Sequence, residues 1–178
     1  KYYLMFKPPY WYHDNIKFSN DEIEKLKLEL SSLKSSSHLH YSSFFMKESE
    51  RPDKIYNDRY CKVVEDILKN LGLYYTTSCS YTYWSQLYKK GMTHRPHHHA
   101  HINPEKGANI SWVHFLDVPK QKCFRFVDKS GRYLTPDTQL NGDIICFPSW
   151  IWHEVVPNET DKQRLVVAGN ITFRHYDD

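Results

Sequence analysis

The chain has 178 residues, of which 40% are hydrophobic, and its 24 Lys and Arg against 21 Asp and Glu leave a net charge of +3. That length is ample for one domain with its own core. So small a charge, with no Lys/Arg block interleaved with aromatics, gives no argument for a nucleic-acid partner, and none is expected. No apolar run approaches the ~20 residues that span a bilayer, so no membrane segment is expected. The four cysteines (Cys61, Cys79, Cys123 and Cys146) show no CxxC or paired spacing and read as reduced thiols. With no signal-peptide pattern at the start, a soluble cytoplasmic protein is expected.

In chain order, an aromatic stretch from Tyr2 to Tyr12 is expected to form an edge strand or to cover the core. Ser19 followed by Glu22 predicts a capping box, opening a helix whose stripe is Ile23, Leu26, Leu30 and Leu33. The segments Ser31 to Ser43 and Lys47 to Asp58 are polar and read as loops. A second helix begins at Asn57 or Asp58, with Val64, Ile67, Leu68 and Leu71 apolar and Gly72 placed to end it. Beyond Gly72 the character changes. Fourteen Tyr, nine Phe and five Trp dominate the apolar inventory, a composition that suits strands. Strands are predicted over Tyr74 to Tyr88, Ile110 to Val118, Cys123 to Val127, Asp143 to Phe147, Ile151 to Val156 and Arg164 to Arg174. A turn falls at Lys129-Ser130-Gly131, and Pro148 splits two of the strands. Two helices followed by a β-rich remainder predict an α+β, mainly β, single domain over 1–178, with helical support in 1–73 and a sandwich or jelly-roll core in 74–178.

Five histidines fall within eight residues, at His94, His97, His98, His99 and His101. Alternate residues of an extended strand share a face, so His97, His99 and His101 can aim one way while His98 aims the other. A facial grip of three imidazoles suits iron, zinc, copper or nickel and leaves positions open for chemistry. His13, His38, His40 and His175 read as ordinary core or surface histidines, as does His114, which has no partner at ligand spacing.

A third ligand is offered by His153, at the end of Gly142-Asp143-Ile144-Ile145-Cys146-Phe147-Pro148-Ser149-Trp150-Ile151-Trp152-His153. A histidine so deep among apolar residues needs a polar partner, and a shared metal provides one. Arg164 leads into the apolar run Leu165 to Ala168. An arginine there is costly to bury unless its fork meets an anion, and a carboxylate fits it bidentately.

The ordered set Pro96-His97-x-His99, FPSW leading to His153, Arg164 eleven residues on and Asn170 closing the strand resembles the Fe(II)/2-oxoglutarate-dependent oxygenases. It is especially similar to small oxygenases of phage and marine bacterial genomes that are distant relatives of prolyl hydroxylases. The likeness spans about Tyr81 to Phe173 and includes Trp84, Gly91 and the run Ser111 to Pro119. It implies a double-stranded β-helix, Fe(II) held by His97, His99 and His153, and Arg164 on the distal carboxylate of 2-oxoglutarate, with Gln86 or Tyr88 assisting. A second register, His99 with His101, stays open; the Trp84–Gly91–Pro96 spacing favours His97 with His99. The family usually has a carboxylate where His99 stands, so this site carries one more positive charge and leans harder on its anionic co-substrate. The interval from His101 to Asn109 resembles an insertion.

The resemblance implies oxidative decarboxylation of 2-oxoglutarate to succinate and CO2, coupled to hydroxylation of a peptidyl, prolyl or small-molecule substrate. Trp84, Trp112 and Trp152 are expected to pack the barrel. Two other functions fit the same residues: a cupin-like three-histidine dioxygenase without 2-oxoglutarate, and a non-catalytic jelly-roll binding module. A zinc hydrolase is disfavoured, because no carboxylate is placed as a general base near the cluster.

Overall fold

The computed structural model describes residues 9–33, 40–74, 78–101 and 107–174. His38, His175 and most of the aromatic N-terminal stretch lie outside them. What is described of that stretch bears out an edge strand: β1 (Trp11–Asn15) pairs with β8 (Asp143–Pro148) at one edge of the larger sheet.

Helix α1 runs over Asn20–Ser31 and opens on the expected capping box, with the Ser19 amide donating to Glu22 Oε2 at 2.8 Å and the Glu22 amide to Ser19 Oγ at 3.3 Å. It buries Ile23, Leu26 and Leu30, while Leu33 packs on the core from beyond the helix end. Helix α2 (Asn57–Asn70) buries Tyr60, Val63, Val64, Ile67 and Leu68. Leu71, expected on that stripe, is instead 40% exposed, because the helix stops before it and Gly72 takes φ +71°.

The segment between β2 (Tyr41–Ser42) and α2 is not a plain loop. It folds into three short 3-10 turns at Ser43–Phe45, Glu48–Glu50 and Pro52–Tyr56. Buried Asp53 pins them to β3 (Ser78–Tyr88), its Oδ2 accepting from Ser43 Oγ and Ser85 Oγ at 2.5 Å and from the Ser85 amide at 2.7 Å. The sequence reads these residues as polar and therefore loop-like, whereas a buried carboxylate, bonded three times through Oδ2, organises them.

The remaining strands are β4 (His94–His97), β5 (Ile110–Asp117), β6 (Phe124–Val127), β7 (Tyr133–Leu134), β9 (His153–Val155) and β10 (Arg164–Arg174). They form a six-stranded sheet in the order β1-β8-β5-β10-β3-β2 and a four-stranded sheet in the order β4-β9-β6-β7. Every recorded pairing is antiparallel. The architecture is a double-stranded β-helix backed by two helices.

Alternation along the strands divides the core. Trp112 and Leu116 of β5, Ile144 and Cys146 of β8, and Leu165 and Val167 of β10 face the helices. Val113, Phe115, Ile145, Phe147 and Val166 face the smaller sheet. Strands apolar on both faces read as continuous hydrophobic runs, which is why β5, β8 and β10 are recognisable in the sequence. Gly169 lets β10 pass over Trp112, where a Cβ would sit 2.2 Å from the indole ring. No helix among the described residues is long and apolar enough to cross a membrane.

His114 on β5 is structural, as expected, and is fully buried. Its Nε2–H donates to Ile16 O at 2.7 Å, so Nδ1 accepts from Tyr60 Oη at 3.1 Å. Burial lowers its pKa to about 4, against the opposing Ile16 hydrogen bond. The folded pKa is below the unfolded value near 6.5, so this contribution is complete above that pH and is lost as pH falls toward 4. The loss from this one group is about 3 kcal/mol at ~1.4 kcal/mol per pKa unit. Urea unfolding of wild type and His114→Gln at pH 7 and pH 4 tests this. The variant should lose correspondingly less stability on acidification, and equal losses would remove His114 as the cause.

Candidate metal centre

His97 ends β4 and His153 begins β9, and the two are direct partners across that ladder. His99 lies just beyond β4, its backbone held by a 2.8 Å hydrogen bond from its amide to Ser149 O. The structure thus brings His97, His99 and His153 together, with one ring nitrogen from each within 4.8 Å of the others. His101 is exposed and is not in this group.

Hydrogen bonds fix two of the tautomers. His97 Nδ1 donates to Arg95 O at 2.8 Å and His153 Nδ1 to Ile151 O at 2.9 Å. A carbonyl can only accept, so both neutral rings keep a lone pair on Nε2, as a metal ligand requires. Burial keeps all three rings neutral. It lowers the His97 pKa, brings that of His99 to about 4 and pushes that of His153 well below the usual histidine range, with neighbouring imidazoles adding to each and backbone hydrogen bonds opposing it at His97 and His153.

The cluster opens into a narrow cleft between the sheets, about 30 Å³ and lined also by Trp84, Gln86, His94, Ser111 and Arg164. None of its lining residues is acidic. Arg164 is 1% exposed, and neither Nη1 nor Nη2 has an acceptor. Its guanidinium carbon lies 4.9 Å from the Tyr88 ring centroid and 5.7 Å from that of Phe115. Burial lowers its pKa, partly offset by Tyr88. A guanidinium does not lose its proton under these conditions, so the molecule carries a buried cation with two unanswered donors beside three neutral imidazoles. The donor set fits a divalent cation at the histidines, and the orphaned fork fits a carboxylate.

Gln86 and Tyr88, two apart on β3, share the face turned toward the smaller sheet, and Gln86 lines the cleft. Tyr88 Oη donates to Gln86 Oε1 at 3.1 Å, and burial raises the pKa of Tyr88. Trp84 and Trp112 are buried, as expected, but also line the cleft. Trp152 corrects the packing expectation: it is 44% exposed, pointing away from His153 and against His98 at 4.7 Å between ring centroids.

Two residues at the site are missed by sequence reasoning. His94 stacks on His97 with centroids 4.0 Å apart, although strict alternation would put residues three apart on opposite faces. A register shift between His94 and His97 in the β4–β9 pairing resets the alternation. His40, expected to be an ordinary histidine, precedes β2 and stacks on Tyr88 at 5.0 Å. No local signal marks it, since the β2–β3 pairing alone brings it there.

No protein-family model matches the chain, and no curated protein matches it. Among solved structures it is similar to a Pseudomonas putida prolyl-4-hydroxylase, with 17% identity, a TM-score of 0.62 and 94% of each chain covered. It is also similar to the viral collagen prolyl hydroxylase of Paramecium Bursaria Chlorella virus-1 in a 2OG complex, with 14% identity, a TM-score of 0.64, and 97% of this chain and 99% of that one covered. A third is the epimerase SnoN in complex with Fe3+, alpha ketoglutarate and nogalamycin RO, with 13% identity, a TM-score of 0.65, and 92% of this chain and 78% of that one covered. The fold is that of the 2OG-Fe(II) oxygenases.

Proposed function

We propose that this protein is an Fe(II)- and 2-oxoglutarate-dependent dioxygenase that hydroxylates a peptidyl or small-molecule substrate. The observation that carries the reading is the pairing, in one cleft, of three neutral histidines with a fully buried arginine whose Nη1 and Nη2 lack acceptors. His97, His99 and His153 would hold the metal, and Arg164 the distal carboxylate of the co-substrate. When bound, iron and 2-oxoglutarate would supply oxidative decarboxylation, to succinate and CO2, coupled to hydroxylation. Fold relatives solved with Fe3+ and alpha ketoglutarate, or with nickel and 2-oxoglutarate, support the choice of both groups.

The chain's own residues orient and shield. The carbonyls of Arg95 and Ile151 hold two imidazoles in the ligating tautomer. Phe124 and Phe147 pack against His153 at 5.6 and 4.9 Å between centroids and keep water from that side. With no acidic residue lining the cleft, neutralisation of the metal and of Arg164 falls to the dianionic co-substrate.

The all-histidine donor set also suits a three-histidine dioxygenase that uses no 2-oxoglutarate. Succinate formation separates the two. Purified protein given Fe(II), 2-oxoglutarate and air should release succinate, slowly without substrate and faster with the right peptide, amino acid or nucleoside. Metal-dependent oxygen consumption without succinate would select the second reading.

A further inference from the structure

The metal cluster and Arg164 are linked by a chain of side chains in which Gln86 and Tyr88 are expected to assist the co-substrate and His40 and His94 have no assigned role. Proton directions along it are fixed by chemistry. Gln86 Oε1 can only accept, so Tyr88 Oη donates to it at 3.1 Å. The Gln86 amide nitrogen can only donate, and it meets His40 Nε2 at 3.3 Å. The Tyr88 oxygen, its proton committed, is left to accept from His94 Nδ1 at 3.5 Å. The rings are stacked as well: His40 lies 5.0 Å from Tyr88 and 4.5 Å from His94, and His94 lies 4.0 Å from His97.

The chain ends beside Arg164, whose guanidinium carbon is 4.9 Å from the centroid of the Tyr88 ring. A buried guanidinium with two orphaned nitrogens draws in any acceptor within reach, and an oxygen that answered them would compete with an incoming carboxylate. Tyr88 Oη is such an oxygen. It already lies near enough to support the Arg164 charge, but its proton is turned to Gln86 and a lone pair to His94, and it stops short of a full hydrogen bond to Nη1 or Nη2.

We propose that His94, backed by His40, is a positioning residue for the dicarboxylate end of the cleft, holding Tyr88 and Gln86 so that the fork of Arg164 stays free for its ligand. The inference rests on the 2-oxoglutarate reading. Without the His94 N–H and its stacked ring, the Tyr88 ring can shift and bring its oxygen fully onto Arg164.

The test measures 2-oxoglutarate binding to the Mn(II)-loaded protein by calorimetry for wild type, His94→Phe, His94→Gln and His40→Phe. Mn(II) affinity without the diacid and the thermal midpoint are measured on the same proteins. His94→Phe should bind 2-oxoglutarate about tenfold more weakly, the order expected for one lost hydrogen bond, with Mn(II) affinity within about twofold of wild type. His94→Gln, which keeps an N–H donor, should recover most of the loss, and His40→Phe should show a smaller one. Undiminished diacid affinity in His94→Phe would overturn the proposal, as would a parallel fall in Mn(II) affinity, which would make His94 a support for His97 alone. If His94→Phe does not fold, unchanged affinity in His40→Phe overturns it equally. Failure of the wild type to bind 2-oxoglutarate defeats the functional reading itself, a different result from wild-type binding that His94 does not influence.

Discussion

Replacing His153 by alanine is expected to abolish tight binding of a divalent metal, lowering Mn(II) or Fe(II) affinity by at least about a hundredfold. Losing even an outer-sphere partner of a ligand typically costs about ten- to a hundredfold, and His153 offers its own lone pair. His153 is 4% exposed, beside Phe147 and Phe124 and opposite His97 across the ladder. Among the described histidines, only His97 and His99 join it in the three-membered group. Alanine at His97 or His99 should act alike, and alanine at exposed His101 should leave the affinity within about twofold. That contrast decides between the two registers open to the sequence. A loss at His101 matching that at His153 would put the centre elsewhere.

The second large effect concerns Arg164 and runs in opposite directions for function and stability. Arg164→Met should weaken 2-oxoglutarate binding by about 2–4 kcal/mol, the order expected when one partner of a buried charge-assisted pair is removed. Metal binding should persist. Arg164→Lys should recover only part of the loss, because an ammonium cannot form the two-pronged contact. In the absence of co-substrate, the same Arg164→Met protein should be more stable to urea than wild type by about 1–3 kcal/mol, since a methionine fills the space without burying an unanswered charge. With both proteins already saturated with Mn(II), added 2-oxoglutarate should raise the stability of wild type and leave that of Arg164→Met nearly unchanged. A variant less stable than wild type, with full diacid affinity, would show that Arg164 serves the core and not a ligand.

Much of the frame is legible in the sequence because local rules and tertiary demands agree there. The capping box of α1, the apolar stripe of α2, the Gly72 stop and the apolar runs of β5, β8 and β10 are each announced by residues within a few positions. The three 3-10 turns are not, because Asp53 reaches across to Ser43 and Ser85 and no window of sequence contains that contact. β7 also escapes prediction, being only two residues long, and β4 ends at His97, short of the extended strand on which the alternate histidines are read.

The candidate centre divides in the same way. His97, His99, His153 and Arg164 stand out in the sequence because metal ligation and anion binding restrict the residue type, so the chemistry shows through without the fold. Which residues gather around them is another matter. A shifted register in one ladder turns His94 onto the face of His97, and the β2–β3 pairing carries His40 to Tyr88. Periodicity describes an isolated strand, and a bulge or a long-range pairing adds an offset that only the partner strand supplies. The sequence by itself therefore determined the donor types, their order along the chain and the layered β architecture. The tertiary structure decided which histidines meet, which tautomers they hold and that the fork of Arg164 is left open, because these depend on backbone carbonyls and ring stacks brought together across the sheets.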